Sequence, residues 1–405
     1  MKILAIFLSP PVPATAGHRV RNRSLLRALA EEGHEVSLVA YASAGEIASP
    51  GREMANLCHD FLFLADPASS RGGRLRAILD PRPYGAIRLS SEAMRRAVEE
   101  RLGGGQFDAI LCDDCYMAGN IPEGNRLPVI LNKHDITCCI VRQFARGERN
   151  LAKKLYAWLE AAKIERLESA ICNRAEAVAV CSERDGEVVR EMAPRARLFV
   201  APNAIETEKF RYCDGRGCDP DSVVFVGAMD WLPNQDGAEF LVEEILPRLR
   251  WMVPTVQITL AGRNPTAEMR SRYESIPDVH LTGTVRDLRP IVARAAVCVV
   301  PLRIGSGTRL KILEAAAQGK AVVSTTLGAE GLDLRHGQEI LLADDARQFA
   351  EAVALLLTDR DRAEAMGRAA QTRVEQLYGI AALRGHLRQM LEALPVHWAE
   401  VERAR

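Results

Sequence analysis

Val297-Cys298-Val299-Val300-Pro301-Leu302-Arg303-Ile304-Gly305-Ser306-Gly307-Thr308-Arg309-Leu310-Lys311-Ile312-Leu313-Glu314-Ala315-Ala316-Ala317-Gln318-Gly319 decides the fold class of this chain. Val297–Val300 is an unbroken apolar run, the pattern of a strand buried on both faces. Pro301 closes it, because proline cannot donate to a sheet ladder. Gly305 and Gly307 mark a tight loop in which the backbone can turn and approach a ligand closely. Leu310, Leu313 and Ala317 then recur at helical spacing, so a helix is expected to begin near Thr308. Strand, glycine loop and helix in that order form one half of a parallel βαβ unit. Free N–H groups and the positive dipole end at such a helix start suit a phosphate. Arg309 and Lys311 add two cations to the first turn, where a helix without an anionic ligand favours Asp or Glu. Glu314, about 1.5 turns in, is placed to accept hydrogen bonds from sugar hydroxyls. Read from the residues alone, a plain connection carrying a surface Arg and Lys weighs equally with a phosphate site.

Outward from this segment the same alternation repeats, and it restarts once. The first series of expected strands is Lys2–Leu8, Glu35–Ala40, Ala109–Cys112, Val129–Asn132, Ala177–Val180 and Leu198–Val200. Helical patterns lie between them, including Arg19–Glu32 and the long run Asn150–Asn173. The second series runs through Val223–Gly227, Gln257–Ala261, Val279–Leu281, Val297–Val300, Ala321–Ser324 and Ile340–Leu342. Two such series predict an α/β protein with two doubly wound, Rossmann-like parallel-sheet domains facing a cleft. The length of 405 residues agrees with two domains. The expected division is residues 1–203, residues 204–376, and a terminal helix over 377–405 crossing back to the first domain, with a linker near Pro202–Gly217.

Composition narrows the function classes. Apolar residues make up 48% and charged residues 26%, ordinary for a folded soluble chain. With 53 basic and 53 acidic side chains, no global field draws the protein to nucleic acid, and no nucleic-acid partner is expected. One basic stretch, Arg71 to Arg101, reads as a solvated face or as a weak peripheral contact with anionic lipid. No run approaches the ~20 apolar residues of a membrane span. The run Ile3–Leu8 imitates a signal peptide, but its apolar core is short and prolines follow, so a first buried strand and a cytoplasmic protein are expected. Cys112, Cys115, His134 and Cys138 have spacings that converge on zinc only if their strands are neighbours. Buried free cysteine is the simpler reading. Asp113-Asp114 is a weak metal site, and neither metal nor another cofactor is expected.

The segment Gly305–Glu314 resembles the donor-binding signature of retaining glycosyltransferase family 4, the group 1 glycosyltransferases of GT-B architecture. Other stretches match in order: Phe225–Met229, Leu260–Pro265, Val279–Val285, Gly328–Leu332 and Ala201–Ala204, with Ala16-Gly17 and Gly33–Val36 in the first half. The resemblance implies a metal-independent sugar transfer from a nucleoside-diphosphate sugar to a saccharide, lipid-linked or small-molecule acceptor, in cell-surface polysaccharide or glycoconjugate synthesis. It implies donor-binding roles for Gly17, Arg263, Val285, Gly305, Ser306, Gly307, Thr308, Glu314 and Glu330. Catalytic roles fall to His134, expected beside the transferred sugar, and to Arg309 and Lys311. Three departures stand out. Ser306 occupies the place of the family's first glutamate, Ala228 that of its arginine after Phe-Val-Gly, and Leu232–Asp236 holds no lysine. Arg309 and Lys311 are expected to supply the missing charge, since a buried diphosphate needs cations. A binding or scaffold subunit of the same shape, a nucleotide-sugar epimerase and a phosphorylase are the alternatives.

Overall fold

A computed structural model describes residues 1–67, 71–210, 217–305 and 307–395, without the side chains of Arg71, Leu75 and Arg76. Ser306 therefore lies outside the described residues. The chain divides into two units, one formed by Met1–Ala204 and the segment from Ile380 onward, the other by Ile205–Gly379.

The first unit holds a seven-stranded, all-parallel sheet of order β3-β2-β1-β4-β5-β6-β7. Its strands are β1 (Lys2–Phe7), β2 (Glu35–Ala42), β3 (Asp60–Ala65), β4 (Ala109–Asp113), β5 (Val129–Asn132), β6 (Ala177–Val180) and β7 (Leu198–Val200). Five of the six residues of β1 are buried, and all of β4 and β6, because helices cover both faces. Two apolar layers result. Ile3, Ala5 and Phe7 face the layer of the Gly17–Glu31 helix, while Leu4 and Ile6 face that of the Glu92–Gly104 helix. β3 is absent from the sequence-based expectation. It is an edge strand, half-buried along its length, and its continuous run FLFL lacks the alternation of a one-sided strand.

The terminal helix Ile380–Glu392 belongs to this first unit. Leu383, Leu387 and Met390 join the layer that holds Ile3, Leu25 and Leu29. Arg384 Nε and Arg388 Nη2 each donate to Glu32 at 2.6 Å.

The second unit holds a six-stranded parallel sheet of order β10-β9-β8-β11-β12-β13. The strands are β8 (Ser222–Val226), β9 (Gln257–Ala261), β10 (Val279–Leu281), β11 (Val297–Val300), β12 (Ala321–Ser324) and β13 (Leu341–Leu342). Tyr378 closes this unit, its hydroxyl accepting from Asp333 N at 2.7 Å. In both sheets the strand order reverses once, between β1 and β4 and between β8 and β11. Loops leaving the carboxyl ends of those two pairs splay apart, and the crevice they leave is where such sheets take ligands.

Candidate active site

In the second unit the loop after β11 leads into the helix Leu310–Ala317, two residues later than the sequence suggests, with Arg309 as its N-cap. Gly305 and Gly307 both have positive φ, +137° and +72°. A Cβ on Gly305 would lie 2.6 Å from Arg309 Nη2. The space that glycine leaves is thus filled by the Arg309 guanidinium, whose Nη1 donates to the Gly307 carbonyl. Thr308 is buried beside it.

Lys311 points inward to the other half of the switch point. Its Nζ donates to Asn234 Oδ1 at 2.8 Å and sits 4.6 Å from the ring centroid of Phe225 on β8. Burial pushes its pKa down to about 7, with the Arg309 charge adding to the shift. Glu314, one turn along, is pushed up to about 7 by burial, against the opposing pull of Lys311 and Arg289. Lys311 and Glu314 share a pocket with Arg289, Phe210, Val226 and Val300, at the β8/β11 reversal.

Strand-end glycines shape the same edge. Gly262 follows β9 with φ +155°, and a Cβ there would lie 1.8 Å from the Gly227 carbonyl oxygen. A Cβ on Gly227 would in turn meet Asn234 Cγ at 2.6 Å. Asn234 holds its place through Nδ2 donating to Ala228 O at 2.9 Å. The two glycines therefore seat Asn234, and Asn234 holds Lys311. Arg263 is exposed after β9, and its side chain makes no hydrogen bond or ion pair among the described residues. Val285 is half-buried after β10, and Glu330 half-buried after β12.

In the first unit Gly17 is the exposed first residue of its helix, and His134 follows β5. His134 Nε2 donates to Asp113 Oδ1, at the end of β4. Asp113 also accepts from Asn22 Nδ2 at 2.8 Å, Asn132 Nδ2 at 3.2 Å and Leu8 N at 3.3 Å. Burial raises the Asp113 pKa, but the charge and hydrogen bond of His134, with Asn22 and His18, outweigh it and hold the carboxyl below its usual range. A carboxylate can only accept, so Asp113 fixes the Nε2–H form of the ring. His134 Nδ1 is buried without a hydrogen-bond partner among the described residues. The His18 ring stands edge-on 6.1 Å away, its Nε2 bonded to Ser9 Oγ at 2.9 Å.

The neighbouring residues Lys133 and Asp135 anchor this loop from the other side. Lys133 Nζ, fully buried, donates to Glu168 at 2.7 Å and Asp114 at 3.5 Å. Glu168 also accepts from Thr137 N and Cys138 N, satisfying the start of the helix Thr137–Gly147. Cys112, Cys115 and Cys138 are buried thiols in the apolar layer, with Cys112 donating to the Asp114 carbonyl.

The residues are thus assembled in two groups, one per unit. Arg263, Val285, Gly305, Gly307, Thr308, Arg309, Lys311, Glu314 and Glu330 all follow strand ends of the second unit, while Gly17 and His134 belong to the first. Reasoning from sequence missed Arg289, Phe210 and Asn234, and the role of Asp113. The one available signal was the position of Asp113-Asp114 after an apolar strand, which pointed only to a metal. The Arg71–Arg101 stretch changes character in the structure. Arg82, Arg88, Arg95, Arg96 and Arg101 pair with Asp80, Asp66, Glu92 and Asp60, so much of its charge is neutralised locally.

Comparison with known proteins agrees with this geometry. Residues 220–359 match a family model described as glycosyl transferases group 1, and residues 16–209 match glycosyltransferase family 4. An "Uncharacterized 44.6 kDa protein in cps region" of Klebsiella pneumoniae is 24% identical, over 87% of this chain and 90% of its own. Among solved structures, sucrose-phosphate synthase from Thermosynechococcus elongatus superposes with a TM-score of 0.74 at 20% identity, over 97% of this chain and 99% of that one. Anabaena HepE, solved with UDP and glucose, superposes with a TM-score of 0.67 at 14% identity, over 97% and 100%. Two Rossmann-like parallel sheets, each with its reversal point dressed by strand-end loops, and the two family matches lead to one conclusion: the chain belongs to the group 1 glycosyltransferases of GT-B fold.

Proposed function

We propose that this glycosyltransferase takes its sugar from a nucleoside-diphosphate donor held in the second unit, with Arg309 and Lys311 neutralising the diphosphate. The observation that carries the reading is the Lys311–Glu314 pair in the pocket at the β8/β11 reversal. A lysine whose charge is disfavoured by burial and by a neighbouring arginine is a site that an anion completes. Glu314 accepts from donor hydroxyls, Val285 meets the base through its backbone, and Gly17, Arg263, Ser306 and Glu330 complete the donor contacts.

Transfer proceeds with retention, by attack on the face the nucleotide leaves. The acceptor hydroxyl oxygen bonds to the anomeric carbon as the carbon–phosphate oxygen bond breaks. A leaving phosphate oxygen takes the hydroxyl proton, and the products are a glycoside and a nucleoside diphosphate. His134, its ring set by Asp113, lies beside the transferred sugar, and the cations of the second unit stabilise the departing charge without a metal or other cofactor. The acceptor is a saccharide, a lipid-linked intermediate or a small molecule in cell-surface polysaccharide synthesis, and the relative from a cps region supports the first two. Such an enzyme works in the cytoplasm, reaching lipid-linked acceptors at the inner membrane face.

Calorimetric titration with UDP, GDP, ADP and dTDP tests the donor site. One nucleotide is expected to bind selectively, and R309A/K311A to weaken it ten-fold or more, about 1.4 kcal/mol. Absence of binding at millimolar concentration would overturn the reading and favour a scaffold subunit, while unchanged affinity in the double variant would remove Arg309 and Lys311 from the diphosphate.

A further inference from the structure

A tryptophan stands open to solvent beside the proposed donor pocket. Trp231 is 54% exposed and its neighbour Leu232 38%. Trp231 is the N-cap of the helix Leu232–Glu239, which follows β8. Its carbonyl accepts from Asn234 N at 2.9 Å and Gln235 N at 3.1 Å, and its own N–H donates to Ala228 O at 3.2 Å. The loop that carries it is braced against the end of β9. Gly227 N donates to Ala261 O at 2.9 Å, Met229 N to Arg263 O at 2.8 Å, and Asn264 Nδ2 to Asp230 Oδ2 at 2.9 Å. Gln235 Nε2 donates back to Met229 O at 3.0 Å. The backbone under the indole is therefore fixed, while the ring itself lies outside the apolar core of its unit. A large, stiff ring on a fixed support has little freedom left to lose, so stacking on it costs little order.

Its place relative to the donor decides what stacks there. Asn234, the third residue of the same helix, receives the Lys311 ammonium at 2.8 Å. Trp231 thus stands about 4.5 Å of helix rise from the residue that holds the diphosphate cation. On the donor reading, the nucleoside end enters the pocket lined by Phe210, Arg289 and Glu314, and Trp231 is not part of its walls. The end left for the indole is the sugar. Charge agrees with this. From Gly227 to Glu239 the chain holds no Lys or Arg, so this lip suits an uncharged ring rather than a phosphate. A pyranose offers such a ring, because its C–H groups, polarised by the adjacent oxygens, are drawn to the negative face of an indole.

We infer that Trp231 is a platform on which the apolar face of the transferred sugar stacks, and so a determinant of which sugar the enzyme accepts. The inference rests on the donor reading, and titrations of the parent protein, W231F and W231A separate the two. The ligands are UDP, GDP, ADP and dTDP, each alone and as UDP-glucose, UDP-N-acetylglucosamine, GDP-mannose, ADP-glucose and dTDP-glucose. W231A is expected to weaken the sugar-bearing form of the bound nucleotide about ten-fold while the bare nucleotide binds as before. W231F should keep most of the affinity, and both variants should keep the parent melting temperature. Tryptophan emission should shift with the nucleotide sugar and not with the bare nucleotide, and W231F should lose that shift. Unchanged affinity of W231A for the sugar form, or equal weakening of both forms, would overturn the inference and leave the donor reading standing. A parent protein that binds no nucleotide would overturn the donor reading and this inference with it.

Discussion

Lys311 lies against the ring of Phe225 with its ammonium on Asn234, and that burial makes the proposed donor site sensitive to pH. Its pKa of about 7 in the free protein must rise when an anion sits beside it. Binding therefore draws in a proton wherever the pH lies between the free and bound values. Glu314, also near 7, is already ionised above pH 8 and does not mask the uptake there. Nucleotide titrations at pH 8.5 in buffers of different ionisation enthalpy should show uptake approaching one proton, with affinity falling up to ten-fold per unit of rising pH. K311M should abolish the uptake. A buffer-independent enthalpy in the parent protein would remove Lys311 from the diphosphate. The same shift affects the free protein. Between about 7 and the ordinary lysine value the unfolded chain holds more protons at this position, so stability from Lys311 increases with pH in that window.

At the level of elements, the candidate site residues stand beyond the strand ends rather than on the strands themselves. β8 and β9 pair along their full lengths, and then Gly227 and Gly262 let the two backbones touch where any side chain would collide. Substituting G262A places a methyl group 1.8 Å from a carbonyl oxygen and must spread the two strand ends. A loss of about 2–3 kcal/mol in denaturant unfolding is expected, with weaker nucleotide binding because Asn234 and Lys311 shift too. G337A is the comparison, since Gly337 also has a positive φ, +80°, but nothing within 4 Å of the added carbon. It should cost about 1–2 kcal/mol and leave binding alone. Equal effects of the two would show that backbone strain, not the close approach, dominates at Gly262. The first unit follows the same design: β4 and β5 end side by side, with Asp113 in register with Asn132, and the turn beyond presents His134 to Asp113.

Across the whole molecule, the chain returns to its beginning. Leu387, 3% exposed, packs in the layer of Ile3, Leu25 and Leu29, more than 350 residues away in sequence. L387A should destabilise the first unit by about 3 kcal/mol while nucleotide affinity, which we assign to the second unit, is unchanged. A loss under about 0.5 kcal/mol would mean the terminal helix contributes little to that core. The architecture itself was legible in the residues. Val297–Val300, Ala177–Val180 and Val129–Asn132 are strands at their expected bounds because strands covered on both faces are written as unbroken apolar runs. β3 is written in the same way, as the apolar run Phe61–Ala65, and was missed in spite of it; only its half-buried place at the sheet edge was beyond the sequence. The positions of Gly305 and His134 after strands, and of Lys311 and Glu314 in the helix that follows, were legible as well, since a loop after an apolar run and before a helical one can lie nowhere else. What each side chain touches was decided only in three dimensions. Asp113 meets His134, Lys311 meets Asn234 and Phe225, and Leu387 meets Ile3 through contacts between segments distant in sequence. Periodicity reports which face of an element is buried. Partnership, and the pKa shifts that follow from it, depend on distances that only the packed sheet and its crossovers set.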